Sequence, residues 1–258
     1  MLLVLIRKEL HRHLLTGRYL IVSVLVVVLV AAATVIRTGM YNKLQRDFHG
    51  DAHLRSQVML ENYRWEQSKT FGYTADSPPN PLAIFAAGLE NEITRSYWLG
   101  WDDPLLGPRK LHAPSFQFHI SFDLVTVVAV ICSLLCLALV FDSVCAEREQ
   151  GTLRVLMSGP VPRDTVMLAK IIAGWIVIAL PLLMAWLVSL VYATAVGRVP
   201  FSADDAGRIA WMVVLSLLYA GFYLGVGLSA SCWFRRSATA MAACLFCWVV
   251  LALAVPNV

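Results

Sequence analysis

Long apolar runs alternate with polar segments along the whole chain, and five of these runs are long enough to cross a lipid bilayer. The first, residues 19–36, contains 18 mostly apolar residues, and as a helix it would span about 27 Å at about 1.5 Å per residue. A cleaved signal peptide is the alternative interpretation, but signal peptides have apolar cores of only about 7–15 residues. The pattern therefore predicts five transmembrane helices, at residues 19–36, 122–141, 165–196, 209–234 and 237–256.

Residues 1–18, before the first apolar run, have the pattern of an amphipathic helix. Apolar side chains recur at helical spacing on one side and basic side chains occupy the other. The apolar residues are Leu3, Ile6, Leu10 and Leu14, and the basic residues are Arg7, Lys8, His11 and Arg12. A helix of this kind lies in the headgroup region of a membrane. We therefore predict an N-terminal amphipathic elbow helix, while an ordinary basic anchor remains an open interpretation of the same residues.

Residues 37–121 form the longest polar segment of the chain. Its first part mixes charged and aromatic residues and contains no proline before Pro78, which favours one or two helices. Pro78, Pro79 and Pro81 then interrupt any regular helix. Aromatic residues cluster just before the second apolar run, as they do where a protein meets a membrane surface. We predict a small helical extracytoplasmic insertion between the first two spans.

The composition supports a membrane protein with several spans. The chain is 59% hydrophobic and 15% charged, whereas soluble domains carry about 25% charged residues. The net charge of +4 is modest, so nothing indicates a nucleic-acid partner. The six cysteines lie in or beside apolar runs and none lies in the insertion, which argues against a disulfide framework.

Basic residues in the short polar segments predict the orientation of the chain. Lys and Arg are concentrated in segments assigned to the cytoplasmic side, at residues 1–18, at 142–164 with Lys170 just beyond, and at the turn Arg235-Arg236. The short loop 197–208 holds Arg198 and Arg208. Cytoplasmic loops carry the excess of Lys and Arg, and long segments such as the insertion count little. The N-terminus is therefore predicted to be cytoplasmic, and residues 197–208 are predicted to form an extracytoplasmic loop.

A charged segment at residues 142–164 separates the second and third spans, and it is the best candidate for a functional site. Charged residues come first, apolar residues follow at i, i+3 and i+4, and two prolines close the segment. Such a helix could dock its apolar face in a groove of another protein, although a loop that only connects two spans is the alternative. The residues are Glu147, Arg148, Glu149, Gly151, Thr152, Leu153, Leu156, Met157, Pro160 and Pro162.

These residues resemble the ABC-2 family of ATP-binding-cassette transporter permeases. The run from Glu147 to Leu153 resembles the family's E-x-G-T-L pattern after the second span, and Pro162-Arg163 with Lys170 resembles its continuation. Arg7-Lys8-Glu9 resembles the family's N-terminal elbow helix. The segment 78–90 resembles a subgroup with an exported insertion after the first span.

The resemblance implies an all-α polytopic permease subunit, an exporter in a bacterial or archaeal cytoplasmic (inner) membrane. Two copies of a cytoplasmic ATPase, which bind ATP and Mg, would dock on the charged segment, the family's coupling helix. The permease would pair with a second copy or a homologue among membrane lipids. The family has six spans and five are visible in this chain, so either a sixth lies beyond residue 258 or the assembly differs. The alternative is a non-transporting anchor, or mechanotransmitter, that passes ATPase motion to an extracytoplasmic partner.

Other chemistry finds little support in the sequence. No G-x-x-x-x-G-K-[ST] motif occurs, so the chain is not predicted to hydrolyse ATP, and no catalytic residues or cofactor are predicted. Two cysteine pairs near mid-membrane could in principle hold a soft metal such as Cu(I), but cysteine is also a common small residue in buried helices. No metal site is predicted; the residues concerned are Cys132, Cys136, Cys244 and Cys247.

Small residues four apart mark the fourth span. Gly221, Gly225 and Ser229 would allow another helix to approach closely. Packing within the subunit is the favoured interpretation, and a subunit interface is the alternative.

Overall fold

The computed structural model describes residues 2–61, 73–88, 96–99, 122–153, 158 and 162–254. Most of these residues form helices. Helix α1 is Leu2–Leu14, α2 is Gly17–Glu61, α3 covers residues 124–140 with a π-helical stretch at Val127–Cys132, and α4 is Cys145–Glu149. Helix α5 is Arg163–Val191, α6 is Ala203–Trp233 and α7 is Ser237–Trp248; π-helical turns extend α5 to Val196 and α7 to Ala254.

The helices confirm the predicted fold class, an all-helical polytopic membrane protein. Within the described residues, four helical stretches are long and apolar enough to cross a membrane: Gly17–Gly50, Leu124–Glu149, Arg163–Val196 and Ala203–Trp233. A shorter apolar helix, Ser237–Leu251, lies at the predicted fifth span. The bundle buries one main apolar core, in which α2 packs on α5, α3 on α6, and α5 on α6.

Helix α2 does not end with the first apolar run. It continues for 45 residues, through Gly50 and on to Glu61. No proline interrupts it, so the backbone hydrogen bonds continue from the apolar part into the polar part. The helix predicted at the start of the insertion is therefore continuous with the first span, and the two form one rod.

The insertion also contains a small antiparallel ladder that the sequence analysis did not predict. Strand β1 (Tyr73–Asp76) pairs with β2 (Ser96–Leu99), with Tyr73 opposite Leu99 and Asp76 opposite Ser96. Tyrosine and tryptophan favour extended structure, and the prolines after β1 prevent a helix there. The insertion is therefore not wholly helical.

A short 3₁₀ turn, Pro81–Ile84, attaches the insertion to the bundle. Asn80 begins it, with its side-chain oxygen accepting a hydrogen bond from the Leu82 amide at 3.1 Å. The turn delivers Phe85 into the core, where its ring lies 5.5 Å from the ring of Trp186 and 5.9 Å from that of Phe201. Phe85 is fully buried, so this turn is part of the membrane bundle.

Large apolar side chains cover the outside of the helices. Soluble proteins bury most such residues, but a bilayer solvates them. The exposed residues include Leu20, Ile21, Val28, Leu180, Leu187, Trp211, Leu218 and Phe246. This exterior fits direct contact with lipid chains.

The three small residues predicted to allow close packing of α6, Gly221, Gly225 and Ser229, lie in two different environments. A Cβ at Gly221 would lie 2.8 Å from Nε1 of Trp175 on α5, so glycine is needed there for close packing. At Gly225 an added Cβ meets no atom within 4 Å, and Ser229 is exposed. Gly221 thus packs within the subunit, whereas Gly225 and Ser229 lie on the exposed face and do not have the intrasubunit contact that the sequence analysis favours.

Candidate functional site

Four charged side chains meet where α1, α4 and α5 come together. We call them the charge cluster; they are Glu9, Arg12, Glu147 and Lys170. The cluster contains two acidic and two basic side chains, which come from three separate segments of the chain. The α1 end of the bundle is therefore held together by charge as well as by apolar packing.

Helix α1 presents a polar side chain to the bundle. Glu9 is only 3% exposed and faces α5, while Arg7 and Lys8 on the same helix are exposed. Leu3 and Val4 are also exposed, on a surface that suits lipid headgroups and chains. The structure therefore has the predicted elbow helix, but Glu9, one of its three predicted site residues, faces the protein interior.

Lys170 lies at the centre of the charge cluster. Its Nζ lies 3.1 Å from Oε1 of Glu9 and 2.9 Å from Oε1 of Glu147, and it donates to the Ser143 carbonyl at 3.0 Å. An ammonium group has three donors; two of them have hydrogen-bond acceptors here, and Glu147 adds an ion pair. The side chain is 4% exposed, and its two acidic neighbours compensate its charge inside the protein.

Glu147, predicted to belong to the docking segment, faces the same interior and not the solvent. It is 7% exposed, and its Oε1 also accepts a hydrogen bond from Nη1 of Arg12 at 2.6 Å. Arg12 reaches Oε2 of Glu9 at 3.7 Å, too far for a hydrogen bond. The alternation of acids and bases explains why Glu9, Glu147 and Lys170 tolerate burial together, with the half-buried Arg12 at the edge of the cluster.

Arg12 accordingly lies on the protein side of α1, not on the solvent side with Arg7, Lys8 and His11. Arg12 and its neighbour His13 line a small cleft between α1 and α3, together with Arg18 and Asp142. Nη1 of Arg18 lies 3.3 Å from Oδ2 of Asp142. Burial, and then the charge of Arg12, lower the pKa of His13 from its ordinary value. His13 is thus held neutral beside the charge cluster.

Helix α4 is also bonded to the end of α6. The Ser231 hydroxyl accepts hydrogen bonds from the amides of Val144 and Cys145, at 2.9 and 3.1 Å. The Cys145 thiol donates to the carbonyls of Ser231 and Phe234, each at 2.9 Å. Ser231 is fully buried, so this joint is protected from water.

Glu149 joins α4 to α7. Its two carboxylate oxygens accept hydrogen bonds from the Ser237 amide at 2.7 Å and from the Ser237 hydroxyl at 2.8 Å. Ser237 is the first residue of α7, where unpaired amides and the helix dipole favour a negative charge. Glu149 therefore caps α7 while remaining exposed to a partner.

The predicted coupling helix over residues 147–157 is not one continuous helix. Helix α4 ends at Glu149, and Gly151 adopts φ +73°, a left-handed conformation that glycine adopts readily. A new helical turn begins at Thr152 and Leu153, and the Thr152 hydroxyl donates to the Glu147 carbonyl at 3.2 Å. Leu156 and Met157 lie outside the described residues. Residues 148–152 are exposed and Leu153 is half-buried, so this corner is the accessible part of the segment.

The cysteines do not assemble a metal site in the part of the chain that the structure describes. No group of three or more His, Cys, Asp or Glu side chains there could hold a metal ion. Cys132, Cys136 and Cys244 are buried, and Cys247 is exposed. The four thiols therefore do not converge, as the soft-metal interpretation requires.

Sequence reasoning missed several residues that organise this site. The sequence analysis names Lys170 for its charge and for the family resemblance, without a partner, and does not single out Ser143, Ser231 or Ser237. Their roles come from contacts between distant segments: Glu9 and Lys170 lie 161 positions apart. The sequence does offer one signal for this pairing: Lys170 and Glu9 lie at the edges of apolar helices, where charged side chains are usually paired.

Comparison with known proteins gives the family. The model of a family described as "ABC-2 family transporter protein" matches residues 3–258, nearly the whole chain. No curated protein matches the chain. The several apolar helices agree with a multi-pass membrane subunit, and the ABC-2 family implies an ABC ATPase partner in general. The chain belongs to the ABC-2 family of transporter proteins and is a permease subunit of an ABC transporter.

Proposed function

We propose that this permease is an exporter driven by a separate ATPase that docks at residues 148–153. The α1 end of the bundle then faces the cytoplasm of a bacterium or archaeon, as the basic residues of the short segments indicate. ATP and Mg bind to the partner, two copies of which serve a pair of permeases. The observation that carries this proposal is the attachment of α4 to four other helices.

The attachments run in two directions from α4. Glu147 bonds to Arg12 of α1 and Lys170 of α5. On the other side, Ser231 of α6 and Ser237 of α7 bond to residues 144, 145 and 149. A loop that merely connects two spans needs none of these bonds. A force applied to residues 148–153 would reach all four helices through short, largely buried contacts.

The exposed corner has the chemistry of a docking surface. Arg148 and Thr152 offer a charge and a hydroxyl, and Gly151 lets the chain turn sharply between them. Leu153 would begin the apolar face, with Leu156 and Met157 as its predicted continuation. Glu147 does not belong to this surface; its ion pairs with Arg12 and Lys170 hold the segment against α1 and α5.

A second function, transmission of motion to an extracytoplasmic partner, is favoured by the length of α2. This single helix runs from Gly17, next to α1, to Glu61 in the insertion. A continuous helix carries a displacement along its axis without a hinge. Motion of the α1 end would therefore reach the insertion directly, whether or not a solute is moved.

Affinity purification of the tagged permease from its native membrane, followed by mass spectrometry and an ATPase assay, tests the docking proposal. The double substitution Arg148→Glu with Thr152→Glu reverses a charge and adds another on the exposed corner. We expect it to reduce co-purification of the ATPase at least tenfold while the permease elutes normally on size exclusion. The matched control is Arg208→Glu, an exposed arginine at the insertion end.

Full retention of the ATPase by the double variant would contradict docking at residues 148–153. Proteoliposomes containing the purified complex then separate the two functions. ATP-dependent solute accumulation supports the exporter, whereas an ATP-dependent change in protease protection of the insertion, without solute movement, supports the transmitter.

A further inference from the structure

Three arginines are exposed around the turn between α6 and α7. Arg235 and Arg236 form the turn itself, and Arg148 on α4 lies beside it, with its Nη1 atom 3.5 Å from the Phe234 carbonyl oxygen. A carbonyl is a neutral acceptor, so this contact positions the Arg148 guanidinium without compensating its charge. We call Arg148, Arg235 and Arg236 the arginine patch.

One acidic side chain, Glu149, lies beside the arginine patch and offsets part of its charge. Arg236 attracts the Glu149 carboxylate, whose two oxygens also accept hydrogen bonds from Ser237 at 2.7 and 2.8 Å. Among the described residues, no ion pair includes any of the three arginines. Three positive charges against one negative charge leave the patch with a net positive charge.

The other acidic side chains at the α1 end are engaged elsewhere. Glu9 and Glu147 are buried in the charge cluster, and Oδ2 of Asp142 lies 3.3 Å from Nη1 of Arg18. Asp164 belongs to the first turn of α5, where the helix dipole favours a negative charge. The negative charges of this end are thus used within the subunit, whereas the arginine patch faces outward.

The segments outside the described residues bring no acid to the arginine patch. Residues 154–157 and 159–161, which follow α4, contain Arg154 and no acid, and residues 255–258 contain no acid either. The remaining segments belong to the insertion. The insertion leaves the bundle after the first span and rejoins it at the start of α3, at the end opposite α1.

Hydrogen bonds hold the arginine patch in a fixed position next to the exposed corner 148–153. The Glu149 carboxylate joins α4 to the first residue of α7, and the Ser231 hydroxyl joins α4 to the end of α6. Arg148 belongs to both surfaces, so the turn between α6 and α7 continues the exposed corner. A fixed arrangement of charges suits a folded partner, whereas fluid lipid headgroups rearrange around any cation.

We propose that the ATPase presents an acidic surface to the arginine patch, so that the turn Arg235-Arg236 is a second part of the docking site. This inference rests on the proposed function and names the chemistry by which the permease selects its partner. A guanidinium group binds a carboxylate through two parallel hydrogen bonds. Complementary charges also speed the encounter of two proteins, and like charges reject a wrong partner. An ATPase with a basic surface at this position is therefore excluded as a partner.

The test measures the dissociation constant, Kd, between the detergent-purified permease and the ATPase that co-purifies with it, at about 0.1 and about 0.5 M NaCl. For wild type we expect a weaker complex at the higher salt concentration, because ions screen exposed charges. Arg235→Gln with Arg236→Gln should raise the Kd about 3–10-fold at the lower salt concentration and reduce its salt dependence. Normal elution on size exclusion and an unchanged unfolding midpoint check that this glutamine variant folds.

Two control variants separate the arginine patch from general effects of charge. Arg235→Lys with Arg236→Lys keeps both charges and should keep the salt dependence of wild type. Arg7→Gln with Lys8→Gln removes two exposed charges from α1, at the same end of the bundle, and should bind the ATPase like wild type. An equal loss of affinity in the α1 variant would overturn the inference, because the attraction would then come from the charge of the whole end. Loss of the salt dependence in the lysine variant would also overturn it.

An unchanged Kd of the glutamine variant would overturn the inference directly. If dioleoyl-phosphatidylglycerol then raises the unfolding midpoint of wild type and not of that variant, the turn binds anionic lipid instead. The docking proposal is tested separately by Arg148→Glu with Thr152→Glu. Loss of the ATPase there, with an unchanged Kd of the glutamine variant, leaves docking intact and overturns only the acidic contact with the turn. Retention of the ATPase by both variants would overturn both proposals.

Discussion

Nζ of Lys170 lies 2.9 Å from Oε1 of Glu147, and this contact joins the third span to the charged segment that precedes it. Both side chains are buried, and the same lysine also holds Glu9 of α1. One ammonium group thus connects three elements that sequence order keeps apart. The stability of the α1 end is expected to depend on it.

Replacing Lys170 should destabilise the subunit strongly. Lys170→Met leaves two buried carboxylates with Arg12 as their remaining partner, and breaking a buried pair typically costs about 3–5 kcal/mol. The free energy of unfolding, measured by denaturant titration in detergent, should fall by about that amount. Adding Glu147→Gln should recover part of the loss. Arg163→Met, an exposed basic position on the same helix, is the control; an equal loss there would contradict the pairing.

Ser231→Ala should loosen α4 from α6. The substitution leaves the amides of Val144 and Cys145 without their acceptor, and each unsatisfied buried donor costs about 1–3 kcal/mol. We expect lower thermal stability and faster amide hydrogen exchange in residues 144–149. Ser229→Ala removes only a hydroxyl bonded within its own helix, to the Gly225 carbonyl, and should have little effect. An unchanged rate of amide hydrogen exchange in the Ser231→Ala variant would contradict the role of Ser231 in holding α4 against α6.

Replacement of Gly221 and Gly225 on α6 by alanine should change the stability of the subunit in opposite directions. Gly221→Ala places a methyl group 2.8 Å from Nε1 of Trp175, so the indole ring or the two helices must shift, at a cost of about 1–3 kcal/mol. Gly225→Ala meets no described atom within 4 Å and removes backbone entropy, so it should stabilise the isolated subunit by about 0.5–1 kcal/mol. Thermal unfolding of both variants in detergent checks the difference. Equal effects would show that Trp175 does not enforce the glycine.

The subunit should lose stability in mild acid through His13. Burial and Arg12 lower the pKa of His13, so the folded state binds fewer protons than the unfolded state. Stability is therefore complete above the unfolded pKa of about 6.5 and falls as the pH drops below it toward the lowered folded value. His13→Gln should flatten this part of the pH profile of thermal unfolding, whereas the exposed His49→Gln should not. Identical profiles for wild type and His13→Gln would refute the assignment.

The membrane helices could be predicted from the sequence because a bilayer imposes a simple rule: each span needs about 20 mostly apolar residues. Residues 124–140 and 203–233 meet that rule without any knowledge of their neighbours. Gly151, followed soon by Pro160 and Pro162, likewise marks a turn through local chemistry alone. The resemblance to the ABC-2 family is carried mainly by the same segment, and the match of the family model over residues 3–258 confirms it.

The charge cluster could not be predicted in the same way. A glutamate in a polar segment is usually solvated, and only contact with Lys170 and Arg12 makes burial of Glu147 favourable. The ladder between β1 and β2 was not predicted for a related reason. Strands of four residues are too short to show a recognisable hydrophobic periodicity, and their pairing joins segments that are distant in the sequence. Features that depend on two distant segments were missed, and features encoded by one segment were found.

The enclosed ring of Phe85 has a further consequence for how the bundle could open. It stands between Trp186 on α5 and Phe201 just before α6, in a core packed without space to spare. Separation of the two flanking elements at this level would expose an aromatic side chain that is now fully enclosed. The segment between the first two spans therefore adds to the closed packing of the bundle, and any opening there carries the free-energy cost of uncovering the Phe85 ring.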